Sequence, residues 1–254
     1  MNIKDYLSNI IVVYKYENCA ACNMVSAILN EIGYKHRIKV RDNTSPKDFL
    51  KKALVIIVGG DGTVLRTCQK IRNDCIIFSV NSNPILTEGF LTRTKVDDFK
   101  KRFLYFIQGK AKIRELPRLQ VLVNNKKIPG LAVNEISISR EKPYLMYIYD
   151  LNKNIEKASG ILVSTPIGST AWTKSAGGKK LNIRNKYMEY VIREPYFGKI
   201  YKVKKRYGLV KEFVFKTISD GIVVFDSINR EYNIKSEDLI SIKFSSKKIL
   251  FVEF

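Results

Sequence analysis

Ala53-Leu54-Val55-Ile56-Ile57-Val58-Gly59-Gly60-Asp61-Gly62-Thr63 is the stretch whose reading decides the fold. The apolar run does not alternate with polar residues, which suits a parallel strand covered on both faces. It stops at a glycine-rich turn, and glycines let backbone N–H groups approach a phosphate chain because no Cβ intervenes. Asp61 sits among those donors. Beside an anionic phosphate a carboxylate is repelled unless it binds a metal or takes a proton, so its placement argues for chemistry as well as phosphate binding. The plainer alternative is a strand-to-helix turn with Asp61 as the helix N-cap.

Working outward, strand-like runs at 10–14, 53–58 and 76–80 alternate with helical patterns at 24–32, 63–71 and 96–107. That order predicts a parallel sheet with helices outside, an α/β domain over residues 1–108. After Arg114 the texture changes to short runs at 119–123, 135–139, 144–149, 161–164, 212–217, 222–225 and 239–244, separated by turn residues. This is the pattern of an all-β domain of the β-sandwich type, over 109–254 with the boundary near Gly109. The last strand is expected to return to the N-terminal domain.

A chain of 254 residues, 45% hydrophobic, can bury a substantial core. The early apolar run 10–14 is too short for a signal-peptide core, and no apolar segment is long enough to span a bilayer, so the cytoplasm is the expected location and no membrane partner is expected. The net charge of +21 calls for a polyanionic partner or a solvated lysine-rich surface. Lys and Arg are spread through the chain without a recognisable nucleic-acid module, which favours the solvated surface and no nucleic acid. Cys19-Ala20-Ala21-Cys22 has the spacing of a thioredoxin-type pair, but no matching pattern follows it, so buried thiols or an incidental disulfide are expected. Cys68, Cys75 and the single histidine, His36, assemble no zinc site of the usual spacing.

Two further stretches carry chemistry. In Val133-Asn134-Glu135-Ile136-Ser137-Ile138 an amide and a carboxylate interrupt an apolar run and need polar partners, which ribose hydroxyls would supply. Gly160-Ile161-Leu162-Val163-Ser164-Thr165-Pro166-Ile167-Gly168-Ser169-Thr170-Ala171-Trp172 runs from a strand into small and hydroxylated residues and ends in an aromatic. Such a turn offers backbone groups, hydroxyls and a ring face to a nucleotide.

The ordered set, with Gly89-Phe90-Leu91-Thr92 before the Asn-Glu pair and Ser219-Asp220-Gly221 after the third motif, resembles the NAD kinases over nearly the whole chain. The resemblance implies an α/β domain and a β-sandwich with the site in the cleft between them. It implies that Asp61 activates the 2′-hydroxyl of the adenosine ribose of NAD, that Gly59, Gly60, Gly62 and Thr63 cradle phosphates, and that Mg²⁺ arrives with ATP or polyphosphate. Asn134 and Glu135 match the pair holding NAD on its adenine and ribose sides. Thr170 and Ala171 match adenine-pocket positions, Trp172 stands where Tyr is usual, and Phe90 matches an aromatic near the adenine, although both rings could instead be core. Arg66 occupies a position that is charged or polar in members accepting NADH or polyphosphate. A homodimer or homotetramer is implied as well. The chain departs from the pattern at Ser159, where most members have Asp, at Ile167, where they have Thr or Ser, and in the segment 81–88, which is longer than usual and lacks glycine. A lipid kinase of the diacylglycerol or sphingosine type shares the Gly-Gly-Asp-Gly-Thr turn but does not require the other motifs. A phosphofructokinase would carry sugar-phosphate motifs that are not found, and a non-catalytic nucleic-acid-binding protein would explain only the charge.

Overall fold

A computed structural model describes residues 2–72, 74–85, 89–228 and 231–254. The chain forms two compact units, residues 1–116 with 247–254, and residues 117–246.

The first unit contains α1 (Lys4–Leu7), β1 (Ile10–Tyr14), α2 (Cys19–Glu31), β2 (His36–Val40), β3 (Ala53–Val58), α3 (Asp61–Cys68), β4 (Cys75–Asn81), β5 (Thr94–Lys95), α4 (Phe99–Ile107) and β6 (Lys112–Leu116). Its seven-stranded sheet runs β2-β1-β3-β4, then the C-terminal strand Ile249–Glu253, then β6, with β5 beside β4. Strands β1 to β4 are mutually parallel, whereas β6 runs antiparallel to the C-terminal strand. The strand after the expected boundary at Gly109 therefore stays in this sheet. All six residues of β3 are buried, as its unbroken apolar run requires. Val12, Ile56 and Phe78 pack with Val25 and Leu29 of α2 and with Phe99, Phe103 and Phe106 of α4. Each such side chain contributes about 1.5–3 kcal/mol when fully buried. Because the order is 2-1-3-4, the connections after β1 and β3 leave in opposite directions. A crevice opens where they part, outside the carboxyl ends of the strands.

The second unit holds β7 (Leu119–Val123), β8 (Lys126–Lys127), β9 (Glu135–Ser139), β10 (Tyr147–Asp150), β11 (Ile155–Ser164), α5 (Trp172–Ser175), β12 (Met188–Pro195), β13 (Tyr207–Val210), β14 (Glu212–Thr217), β15 (Gly221–Phe225), β16 (Glu231–Ile234) and β17 (Leu239–Phe244). The all-β expectation takes the form of one 11-stranded antiparallel sheet, curled around a single core. Its inner face carries Ile136 and Ile138, Ile161 and Val163, and the alternating Phe213 and Phe215. That alternation puts Glu135, Ser164 and their neighbours on the opposite face. Among the described residues no helix is long and apolar enough to cross a membrane.

Candidate active site

In the first unit, α3 begins immediately after β3, with Gly60 as its N-cap. Asp61 does not cap the helix. Its Oδ1 accepts the N–H groups of Leu91 and Thr92 at 2.9 and 3.1 Å and the Thr92 hydroxyl at 3.1 Å, while Oδ2, among the described residues, accepts only the Phe90 N–H, at 2.9 Å. Four donors fix the carboxylate, and among the described residues a lone-pair position stays open on Oδ2. Gly59 is required by packing: a Cβ there would lie 2.5 Å from Thr63 Oγ1. Gly62, by contrast, faces open space, with nothing within 4 Å of where a Cβ would sit.

That space is a cavity of about 480 Å³ at the carboxyl ends of the parallel strands. Gly60, Gly62, Thr63 and Arg66 line it, while Gly59 is buried behind the turn. Lys15 after β1 and Arg41 after β2 line it as well; no motif marked them, since cations between strands read as ordinary polar linkers. Phe90 is 36% exposed with the Arg93 guanidinium 5.7 Å from its ring centre, so it is not core. Part of the unusually long segment 81–88 lies outside the described residues, namely 86–88.

In the second unit the Asn-Glu pair opens β9 against the third motif. Thr165 donates its N–H to the Asn134 carbonyl at 2.8 Å and its hydroxyl to the Val133 carbonyl at 2.6 Å. The backbones approach so closely that a Cβ on Gly168 would lie 2.1 Å from the Asn134 oxygen. Glu135 is 3% exposed: Oε1 accepts the Ser227 hydroxyl at 3.2 Å, and Oε2 is buried with no hydrogen-bond partner among the described residues. Burial first, and then the charge of Asp226, push its carboxyl up to about 8, against a smaller pull from the Ser227 hydrogen bond.

Asp226 escaped the sequence reading, which singled out Ser219-Asp220-Gly221. The Asp226 carboxylate takes the N–H groups of Val133, Asn134 and Glu135 at 3.0, 2.7 and 3.3 Å, clamping the start of β9. Asp220 stands at the opposite end of β15, where it accepts the Ser236 N–H and the Lys235 ammonium. The missed signal was Phe225-Asp226-Ser227, a carboxylate directly after an apolar strand.

Thr170 spends its hydroxyl on the Ile167 carbonyl at 3.0 Å, with Ala171 half-buried beside it. Ile167 is 4% exposed, so an apolar contact replaces the expected hydroxyl. Trp172 is 36% exposed and lies under the Arg193 guanidinium at 4.6 Å, which makes it a surface ring rather than core. Ser159 shares the same arginine through a 3.3 Å bond to its carbonyl, and also bonds Glu194. The four cysteines are free thiols, with Cys19 exposed and Cys22, Cys68 and Cys75 buried.

A family model described as the ATP-NAD kinase C-terminal domain matches residues 133–187, the stretch holding both second-unit motifs. The NAD kinase of Thermoplasma volcanium is 30% identical over 208 residues, covering 79% of this chain and 74% of that protein. This chain belongs to the NAD kinase family. The fold agrees with solved structures of NAD kinases: one from Archaeoglobus fulgidus in complex with ATP has a TM-score of 0.79 at 21% identity, covering 96% of this chain and 93% of that one. Yeast NADH kinase complexed with NADH gives 0.82 at 19% identity, covering 99% and 84%.

Proposed function

We propose that the chain phosphorylates the 2′-hydroxyl of the adenosine ribose of NAD, with ATP as donor, to give NADP. The observation that carries this reading is the fixed Asp61 carboxylate beside a phosphate-sized cavity lined by Gly60, Gly62 and Thr63. Asp61 Oδ2, with its open lone pair, takes the proton of the attacking hydroxyl as general base. The cavity holds the donor phosphates, and positioning with electrostatic stabilisation supplies most of the rate. Asn134 and Glu135 hold the dinucleotide, presented by the Asp226 clamp. A lipid kinase would have no use for that clamped pair, nor for the third motif folded onto it.

Among the described residues no three His, Cys, Asp or Glu side chains cluster to hold a metal, and Asp61 Oδ1 is filled by three donors. These residues fit a Mg²⁺ carried by the donor's own phosphates and do not build a protein cage for it. Bound there, the ion would neutralise phosphate charge. Polyphosphate as a second donor, NADH as a second acceptor, a cytoplasmic location and a homodimer or homotetramer belong to the same proposal. The test is purified protein with NAD, ATP and Mg²⁺, read as NADP formed, beside parallel reactions with diacylglycerol and sphingosine. NADP formation with neither lipid phosphorylated is expected; lipid phosphorylation without NADP would overturn the reading.

A further inference from the structure

One cation lining the cavity at the strand ends is already paired with a neighbouring carboxylate. Arg41, at the carboxyl end of β2, has its side chain only 9% exposed yet lines the cavity. Its guanidinium forms a two-point fork to the neighbouring Asp42, Nε to Oδ1 at 2.9 Å and Nη2 to Oδ2 at 2.8 Å. The Asp42 side chain is 61% exposed. The turn that carries both, Arg41–Asn43, is braced from α3's far end: the Lys70 ammonium donates to the Arg41 carbonyl at 2.8 Å and to Thr44 Oγ1 at 3.0 Å. The backbone of the turn is therefore held in place, and within it the Asp42 carboxylate is held by the fork. The Arg41 hydrogen bonds hold the Asp42 carboxyl below the usual carboxylate range, and the charges of Arg41, Lys70 and Arg66 add to that effect. One exposed carboxylate thus holds the guanidinium of Arg41, which lines the same cavity as Gly62 and Thr63, and feels the charges of Lys70 and Arg66.

A planar fork that fits a carboxylate fits a phosphate equally well. An ion pair with so exposed a partner is weak, and a chain of phosphates brings several charges where Asp42 brings one. We propose that Arg41 binds the oligophosphate of the donor, with Asp42 as its displaceable counter-ion, so that the cavity loads by exchanging one anion for another. This deepens the proposed function and rests on it for the identity of the donor.

The experiment uses inorganic tripolyphosphate as probe, titrated calorimetrically into the purified chain without NAD, together with steady-state kinetics using ATP and polyphosphate. Arg41→Gln should weaken tripolyphosphate binding about tenfold or more, because it removes a charged two-point contact. It should raise the donor KM by a similar factor and leave the KM for NAD unmoved. Asp42→Asn should do the reverse and tighten binding several-fold. A KM rise with ATP alone assigns the fork to the nucleotide's phosphates, and a rise with both donors assigns it to any oligophosphate chain; a rise with neither overturns the proposal. Should Arg41→Gln fail to fold, Asp42→Asn decides, and unchanged or weaker binding overturns it. A parent that binds tripolyphosphate through Arg41 but forms no NADP would sink the proposed function and leave the anion site standing. A parent that forms NADP while neither variant shifts binding would sink the anion site alone.

Discussion

Glu135→Gln tests whether the sheet stores a proton at the start of β9. In the folded chain the Glu135 carboxyl titrates at about 8, and the ordinary value is 4.5. Between those two pH values the folded state keeps a proton that the unfolded state has released, so its stability falls as pH rises, by roughly 1.4 kcal/mol per pH unit. The contribution is complete below pH 4.5 and is lost by the time the folded group ionises near pH 8. At pH 7 the accumulated cost is on the order of 3 kcal/mol, a ceiling because any water reaching Oε2 softens the burial. Glutamine keeps the shape and removes the titration, so the variant should match the parent near pH 5 and exceed it increasingly toward pH 8. Trp172, the single tryptophan, lies in the same unit and reports its unfolding by fluorescence in urea. Stability differences between variant and parent that stay constant across this window would refute the buried, proton-bearing carboxyl.

Asp61→Asn should lower kcat by about 10²–10⁴-fold with the KM for NAD little changed. It should also destabilise the fold by about 1–3 kcal/mol, because either amide orientation sets an NH₂ against backbone N–H donors of Phe90–Thr92; unaltered turnover rejects Asp61 as the base. Gly168→Ala drives a methyl into the Asn134 carbonyl and should cost about 2 kcal/mol or more, read by Trp172 fluorescence in urea; a neutral result would contradict the close backbone approach. Arg66→Gly removes a cavity-lining cation, so the rates with NADH relative to NAD and with polyphosphate relative to ATP should change; if all ratios hold, Arg66 has no part in donor or acceptor choice.

The legible parts of the molecule were those whose environment is uniform along the chain. Ala53–Val58 is buried at every position, and its composition says so; the turn after it needs glycines for reasons visible in the residues themselves. Strand β2, His36–Val40, went unread because it lies at the sheet edge, half-exposed, with Arg37 and Lys39 inside it. Lys112–Leu116 was hidden in the same way, as a charged strand paired only to the C-terminal one. Glu135 could be picked as a buried polar residue; Asp226 showed only as a carboxylate directly after an apolar strand, and its role stayed hidden because its partners are backbone N–H groups distant in sequence. Arg41 and Asp42 were silent for a related reason: adjacent opposite charges look like solvated surface until strand order places Arg41 at the crevice.

Strand Ile249–Glu253 lies between β4 and β6 although the entire second unit is encoded ahead of it. Without that strand the sheet would have β4 unpaired at Ile76 and Ile77 and β6 without its antiparallel neighbour. An open edge of that kind invites pairing with other nascent chains. The first unit is thus closed by a strand encoded after the whole of the second, and removing residues 249–253 would leave its sheet split rather than merely shortened.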